Sequence, residues 1–385
     1  MTAQKTNSRV FKLATAAALV CAVGSVNADI LIGSVVSSTG LASFLGEPEE
    51  KTLKMMVEDI NANGGVLGEK IRLIVYDDGS DASKARTFAT RLIEDDEVVA
   101  IVGGTTTGAT MAMMPLVEEA GTPFISLAGA IEITEPVRPY TFKTPHTDRM
   151  ACGKIFEDME KRNLSKVGVL SGSDSFGASM RKQCLDVVSD YNVTIVGDEI
   201  YGPKDADMTP QLTNLRNKDG IDSLMVLGLG SGPAIVSRNY NQLDIDLPLY
   251  QSHGVASDAF IELAGAKAVE GFRLPGTPLL VADLLDEDDP QRPLVKKYKT
   301  DYESKTGETV STFGGYSYDA LLLIVDAIER AGSAEPQAIR DALEQADGVV
   351  GTTGIYTMSP EDHLGLDLTA FRMLEIRDGK WALVE

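Results

Sequence analysis

From Ile30 onward, short apolar runs of strand length alternate with longer stretches of helical periodicity, and that alternation leaves few folds open. Strands are expected at 30–37, 70–76, 98–102 and 123–126, with helices near 47–63 and 82–93 and a third opening near Ala109. Parallel strands need a crossover of about a dozen residues or more, which a helix supplies. The repeats therefore predict an α/β lobe: a parallel sheet with helices on both faces. A second series follows 139–145, with helices at 149–162, 178–189, 208–217 and 233–243 between strands at 166–171, 193–200 and 223–227. The pieces after Arg273, helices 318–331 and 339–344 and a strand at 370–375, are too few for a third lobe and are expected to complete the first two. The division expected is 29–147 plus 277–357 for one lobe and 148–276 plus 358–385 for the other. Several crossings between lobes make a hinge, and the carboxyl ends of both sets of strands then face a shared cleft.

The ends of the chain say where it works. Lys5, Arg9 and Lys12 precede an apolar run from Leu13 to Val23, and small residues at Val26 and Ala28 stand before Asp29. This is the pattern of a cleaved signal peptide over 1–28, and the apolar run is too short for a membrane span. Val20 before Cys21 is bulkier than lipoprotein processing prefers, which argues against a lipid anchor. Cleavage removes three positive charges from a chain already at a formal net charge of -22. Such a chain repels nucleic acid and anionic lipid and cannot steer an anionic ligand from a distance. Cys152 and Cys184 remain, either bonded in an oxidising compartment or as two buried thiols.

One turn stands out chemically. Gly103-Gly104-Thr105-Thr106-Thr107-Gly108 joins an apolar strand to a helix, so free backbone N–H groups lie beside threonine hydroxyls. That arrangement suits a carboxylate, although threonines also simply cap helices, and both readings stand at this point. No catalytic motif accompanies it. Gly172 to Gly177 lacks the spacing of a nucleophile elbow, and the threonine turn lacks the lysine of a phosphate loop. Pro233 replaces the third glycine of a dinucleotide fingerprint after Gly228-Leu229-Gly230-Ser231-Gly232, which instead suggests close backbone approach at a cleft, with Gly230 as a site residue. His146, His253 and His363 show no metal-ligand spacing. No enzyme, cofactor or metal is expected.

The ordered motifs resemble a known family. Gly33 to Gly46, Asp59 to Gly65, Tyr76-Asp77-Asp78, the threonine turn, Phe124-Ile125-Ser126, Asp174 to Gly177 and Tyr316 to Ala320 are similar to segments of the branched-chain amino-acid type of solute-binding proteins that feed ATP-driven importers. The resemblance implies two Rossmann-like lobes of the type I periplasmic binding fold. It also implies a periplasmic, monomeric receptor whose partners are a membrane permease and its ATPases. The ligand's carboxylate is then expected at Thr106 and Thr107 and at the Ala128-Gly129-Ala130 turn, with aromatic walls from Phe44, Phe176 opposite it, and Phe313. At His253, amino-acid binders of the family usually carry an acidic residue for the ligand's ammonium. With 142–149 and 201–207, this departure resembles the members that bind aromatic acids, so a benzoate-like or cinnamate-like carboxylate is expected. A branched-chain amino acid or short amide, or a sensing rather than a transport role, stands as the alternative.

Overall fold

The computed structural model describes residues 1–2 and 29–384, so the segment read as a signal peptide, with Cys21 and the cleavage site, lies outside the described residues except for Met1 and Thr2. The first lobe runs β1 (Ile30–Val36), α1 (Ser43–Ala62), β2 (Ile71–Asp77), α2 (Ala82–Glu94), β3 (Ala100–Gly103), α3 (Thr107–Ala120), β4 (Phe124–Ser126) and β5 (Thr141–Lys143). These five strands form one parallel sheet in the order β2-β1-β3-β4-β5. The second lobe runs α4 (Asp148–Lys161), β6 (Lys166–Gly172), α5 (Ser175–Val187), β7 (Thr194–Tyr201), α6 (Thr209–Arg216), β8 (Ser223–Leu227), α7 (Ser231–Gln242), β9 (Leu249–Gln251), α8 (Asp258–Ala264) and β10 (Arg273–Gly276). The chain then makes α9 (Arg292–Thr306), α10 (Thr312–Ala331), α11 (Pro336–Leu343), a short pair β11 (Val349–Val350) and β12 (Ile355–Tyr356), and finally β13 (Arg372–Arg377) and β14 (Lys380–Leu383).

The alternation of strand and helix is as the sequence pattern requires, but the second sheet is not purely parallel. Its order is β14-β13-β10-β9-β8-β6-β7, and β13 runs antiparallel to both β10 and β14. The β13–β14 pair is closed by a tight hairpin at Asp378-Gly379, whose φ values of 52° and 70° suit a two-residue turn with both central residues left-handed. Several helices begin earlier than periodicity suggested, α1 and α10 by the most. In α1, Leu45 and Gly46 are already buried ahead of Pro48. In α10, Ser311 accepts from the Gly314 N–H and starts the helix six residues before Tyr318. Gly314 and Gly315, ahead of the expected helix start, serve close packing. A Cβ on Gly314 would stand 2.5 Å from the Tyr298 hydroxyl, and one on Gly315 2.8 Å from Thr352 Oγ1.

Each lobe has its own apolar core. Leu53 of α1 and Leu321, Ile324 and Ile328 of α10 are buried with Ile32 and Val102 of the first sheet. Leu170, Val226, Leu274 and Leu374 belong to the core of the second. Late segments thus join both lobes, α10 packing on α1 and β13 on β10. Cys152 of α4 and Cys184 of α5 form a disulfide inside the second lobe.

Candidate ligand-binding cleft

In an open α/β sheet the crevice lies where the strand order reverses, because neighbouring connections leave the sheet there on opposite faces. In the first sheet that point falls between β1 and β3, and in the second between β6 and β8. The segments leaving these four strands meet. Leu41 and Ala42 after β1, Thr106 to Gly108 after β3, Asp174 to Phe176 after β6 and Leu229 to Gly232 after β8 surround a chamber of about 260 Å³. A smaller inner chamber of about 20 Å³ adjoins it through Thr107, Phe176 and Leu229. Ala128, Gly129, His253, Phe313 and Tyr316 line this inner part. The lobes touch here, since a Cβ on Gly129 would stand 2.7 Å from His253 Nε2 and 3.2 Å from the Phe176 ring.

The three consecutive threonines take different roles. Thr105 is buried, accepts from the Ser37 N–H at 3.0 Å and donates to Glu49 at 2.5 Å. Burial holds the Glu49 carboxyl well above its ordinary range despite that bond. Thr106 caps α3, accepting from the Ala109 N–H at 3.2 Å, so its hydroxyl takes the capping role rather than an open ligand role. Thr107 is also buried, and its Oγ1 has no hydrogen-bond partner among the described residues. Buried hydroxyls are ordinarily satisfied, so an unpartnered one at the start of a helix marks a place for a ligand acceptor. Gly104, at φ 66°, permits the turn, and a Cβ there would stand 2.4 Å from Thr110 Oγ1.

Two more unpartnered groups face the inner chamber: both ring nitrogens of His253 and the hydroxyl of Tyr316. Burial, with Lys143 adding to it, pulls the His253 imidazole down to about 3, so the ring is neutral at physiological pH and offers one donor and one acceptor. It packs edge-on against Phe176 at 5.3 Å and Phe371 at 5.7 Å. Among the described residues, no acidic side chain lines the inner chamber. Asp174 lines the outer one, where its Oδ1 accepts from the Phe176 and Gly177 N–H groups and caps α5.

Of the residues expected from sequence, Thr107, Ala128, Gly129, Phe176, His253 and Phe313 meet around the inner chamber, and Thr106 and Gly230 line the outer one. Ala130 is buried beside them without lining either. Phe44 lines neither of these two chambers. It packs edge-on against Phe313 at 5.7 Å and faces a groove with Gly230 and Phe260. Tyr316 went unread as a site residue, although its position three residues after Phe313 on α10 puts both on one helix face. Among the described residues, no group of three or more histidine, cysteine or acidic side chains could hold a metal ion.

A family model described as "Periplasmic binding protein" matches residues 29–380. Leu/Ile/Val-binding protein homolog 7 of Brucella abortus (strain 2308) is 25% identical over 96% of this chain and 94% of its own length. An extracellular ligand-binding receptor of Rhodopseudomonas palustris HaA2 superposes with a TM-score of 0.86 at 26% identity, over 93% of this chain and 100% of that one. The branched-chain amino acid transporter substrate binding protein LivJ of Streptococcus pneumoniae, in complex with isoleucine, superposes with a TM-score of 0.82 at 26% identity, over 93% of this chain and 99% of that one.

Proposed function

The chain belongs to the periplasmic binding protein family, and from that premise we propose that it is the periplasmic solute-binding component of an ABC importer, closing two lobes around a small carboxylate. The lobes of this reading follow the two sheets, with α10 returning to the first and β13 and β14 to the second. The observation that carries the reading is the buried Thr107 hydroxyl without a protein partner, at the switch point of one sheet and facing the switch point of the other. A ligand held from both sides binds the closed arrangement more tightly than the open one and so shifts the population toward it. Membrane permease subunits and ATPases are the partners that follow, and the role is binding rather than catalysis.

The relatives favour an aliphatic amino acid as the ligand, since the LivJ structure holds isoleucine and the Brucella relative is named for leucine, isoleucine and valine. Asp174 is the acidic side chain within the chamber walls that an ammonium can reach. One observation favours a second reading, an aromatic monocarboxylate. The neutral His253 presents a hydrogen-bonding ring, not a counter-charge, beside Phe176, and a benzoate has no cation to satisfy. A melting screen separates the two. At about 100 times its dissociation constant, a true ligand stabilises the folded state by about 2.7 kcal/mol. Isoleucine, leucine or valine raising the melting temperature supports the first reading, and benzoate, 4-hydroxybenzoate or cinnamate the second. A flat response to both sets refutes the small-carboxylate reading.

A further inference from the structure

The turn 128–130 rests on a lysine. Lys143 ends β5 with its side chain fully buried, 0% exposed, and among the described residues it is the only lysine or arginine in the buried class. Its Nζ donates to the carbonyl oxygens of Gly129 at 2.8 Å and Ala130 at 3.1 Å. The Asp148 N–H donates to the same Gly129 carbonyl at 3.0 Å, and the Asp148 carboxylate accepts from the Ile131 N–H at 3.1 Å. On the carbonyl side of the turn, Gly129 and Ala130 are therefore both engaged. Its N–H side is not: neither the Gly129 nor the Ala130 N–H has an acceptor among the described residues, and Gly129 forms part of the inner chamber wall.

We propose that Lys143 is the positioning residue of this cleft, holding the turn by its Gly129 and Ala130 carbonyls so that the Ala130 N–H, on the opposite side of the peptide whose Gly129 carbonyl the lysine binds, meets a ligand carboxylate beside the neighbouring Gly129 N–H, and placing one positive charge beneath it. The proposal rests on the small-carboxylate reading and sharpens it, because a cation under the turn favours anions and penalises a ligand ammonium at the same end. In a strongly acidic chain this local charge supplies attraction that the long-range field cannot. Burial brings the Lys143 amine down to about 7. Asp148 at the start of α4, and Glu132 and Glu135 after β4, act against that shift. The rings of His146 and His253 also face the lysine, and burial keeps both neutral. Burial holds Asp148 up, at about 6.

Acetate tests this without knowing the natural ligand, because it carries a carboxylate and little else. Titrated into the uniformly 15N-labelled protein at pH 6.5, it should shift the Gly129 and Ala130 amide signals. Lys143→Met should weaken acetate binding at least fivefold at pH 6.5, and the gap to the wild type should close by pH 9 as the wild-type lysine loses its proton. Lys143→Arg, whose guanidinium keeps its charge, should bind acetate more tightly than the wild type at pH 9. Equal affinity of Lys143→Met and wild type at pH 6.5 overturns the proposal. Should the methionine variant fail to fold, a Lys143→Arg profile that falls in parallel with the wild type overturns it instead. Wild-type amides at 129 and 130 that ignore acetate also overturn it, whereas the screen with isoleucine and benzoate judges the ligand reading separately.

Discussion

At the scale of single residues, the cleft turns on which polar atoms the protein leaves for something else. Replacing Thr107 with Val preserves shape and removes the unpartnered hydroxyl. A hydrogen bond to a charged acceptor is worth about 1.5–3 kcal/mol, so calorimetry should show at least a tenfold loss of affinity with the melting temperature of the ligand-free protein unchanged. Unaltered affinity would remove Thr107 from the site. The threonine turn itself was legible as a strand-to-helix cradle, but the sequence could not rank its three hydroxyls. That ranking depends on Ser37 and Glu49, which lie far away in the chain and arrive only by folding. The same holds for Phe44 and Phe176. Both are aromatic residues in loops or at helix starts that a family pattern pairs, yet α10 places Phe313 against the first ring and His253 packs against the second. Lys143 was visible only as part of a motif, since nothing local says that a lysine at a strand end will point inward.

At the scale of elements, α10 links the site to the frame behind it. Its first turns carry Phe313 and Tyr316 to the inner chamber, and further along the buried Asp319 accepts from the Thr352 N–H at 2.6 Å, the Thr353 N–H at 2.8 Å and the Tyr356 hydroxyl at 2.9 Å. Asp319→Ala leaves the Thr352 and Thr353 N–H groups buried without an acceptor, while the Tyr356 hydroxyl can still donate to the Thr144 carbonyl at 3.1 Å. At about 1–3 kcal/mol for each such group, urea denaturation should show a loss of about 3–5 kcal/mol; a loss below about 1 kcal/mol would mean that the 351–356 segment is held by other contacts. Long periodic elements were legible from sequence, and their order with them. The misses have physical causes. β9 has three residues and β10 four, too short for a period to show, and α9 has few apolar residues on a charged surface. The Asp378-Gly379 turn was a hairpin signal that went unread, and with it the antiparallel edge of the second sheet.

At the scale of the whole molecule, the two switch points lie across one cleft, and the lobes already touch through Gly129 and His253. Admitting isoleucine or benzoate to an inner chamber of about 20 Å³ requires the lobes to part. Without a bridging ligand the parted arrangement is the one that predominates and admits it, and the bound ligand then holds the lobes closed, so small-angle scattering should show a smaller radius of gyration with saturating ligand than without. Equal radii, with binding independently measured, would rule out closure as the mode of capture. The disulfide between α4 and α5 lies within one lobe and leaves this motion free. The return of late segments to early ones bears on how the polypeptide is made. Synthesis delivers it amino end first, yet α1 waits for α10 and β10 waits for β13. At roughly 5–20 residues per second, the emerging chain spends on the order of ten seconds or more with one face of α1 uncovered and β10 an open edge, the interval in which a holding chaperone matters most.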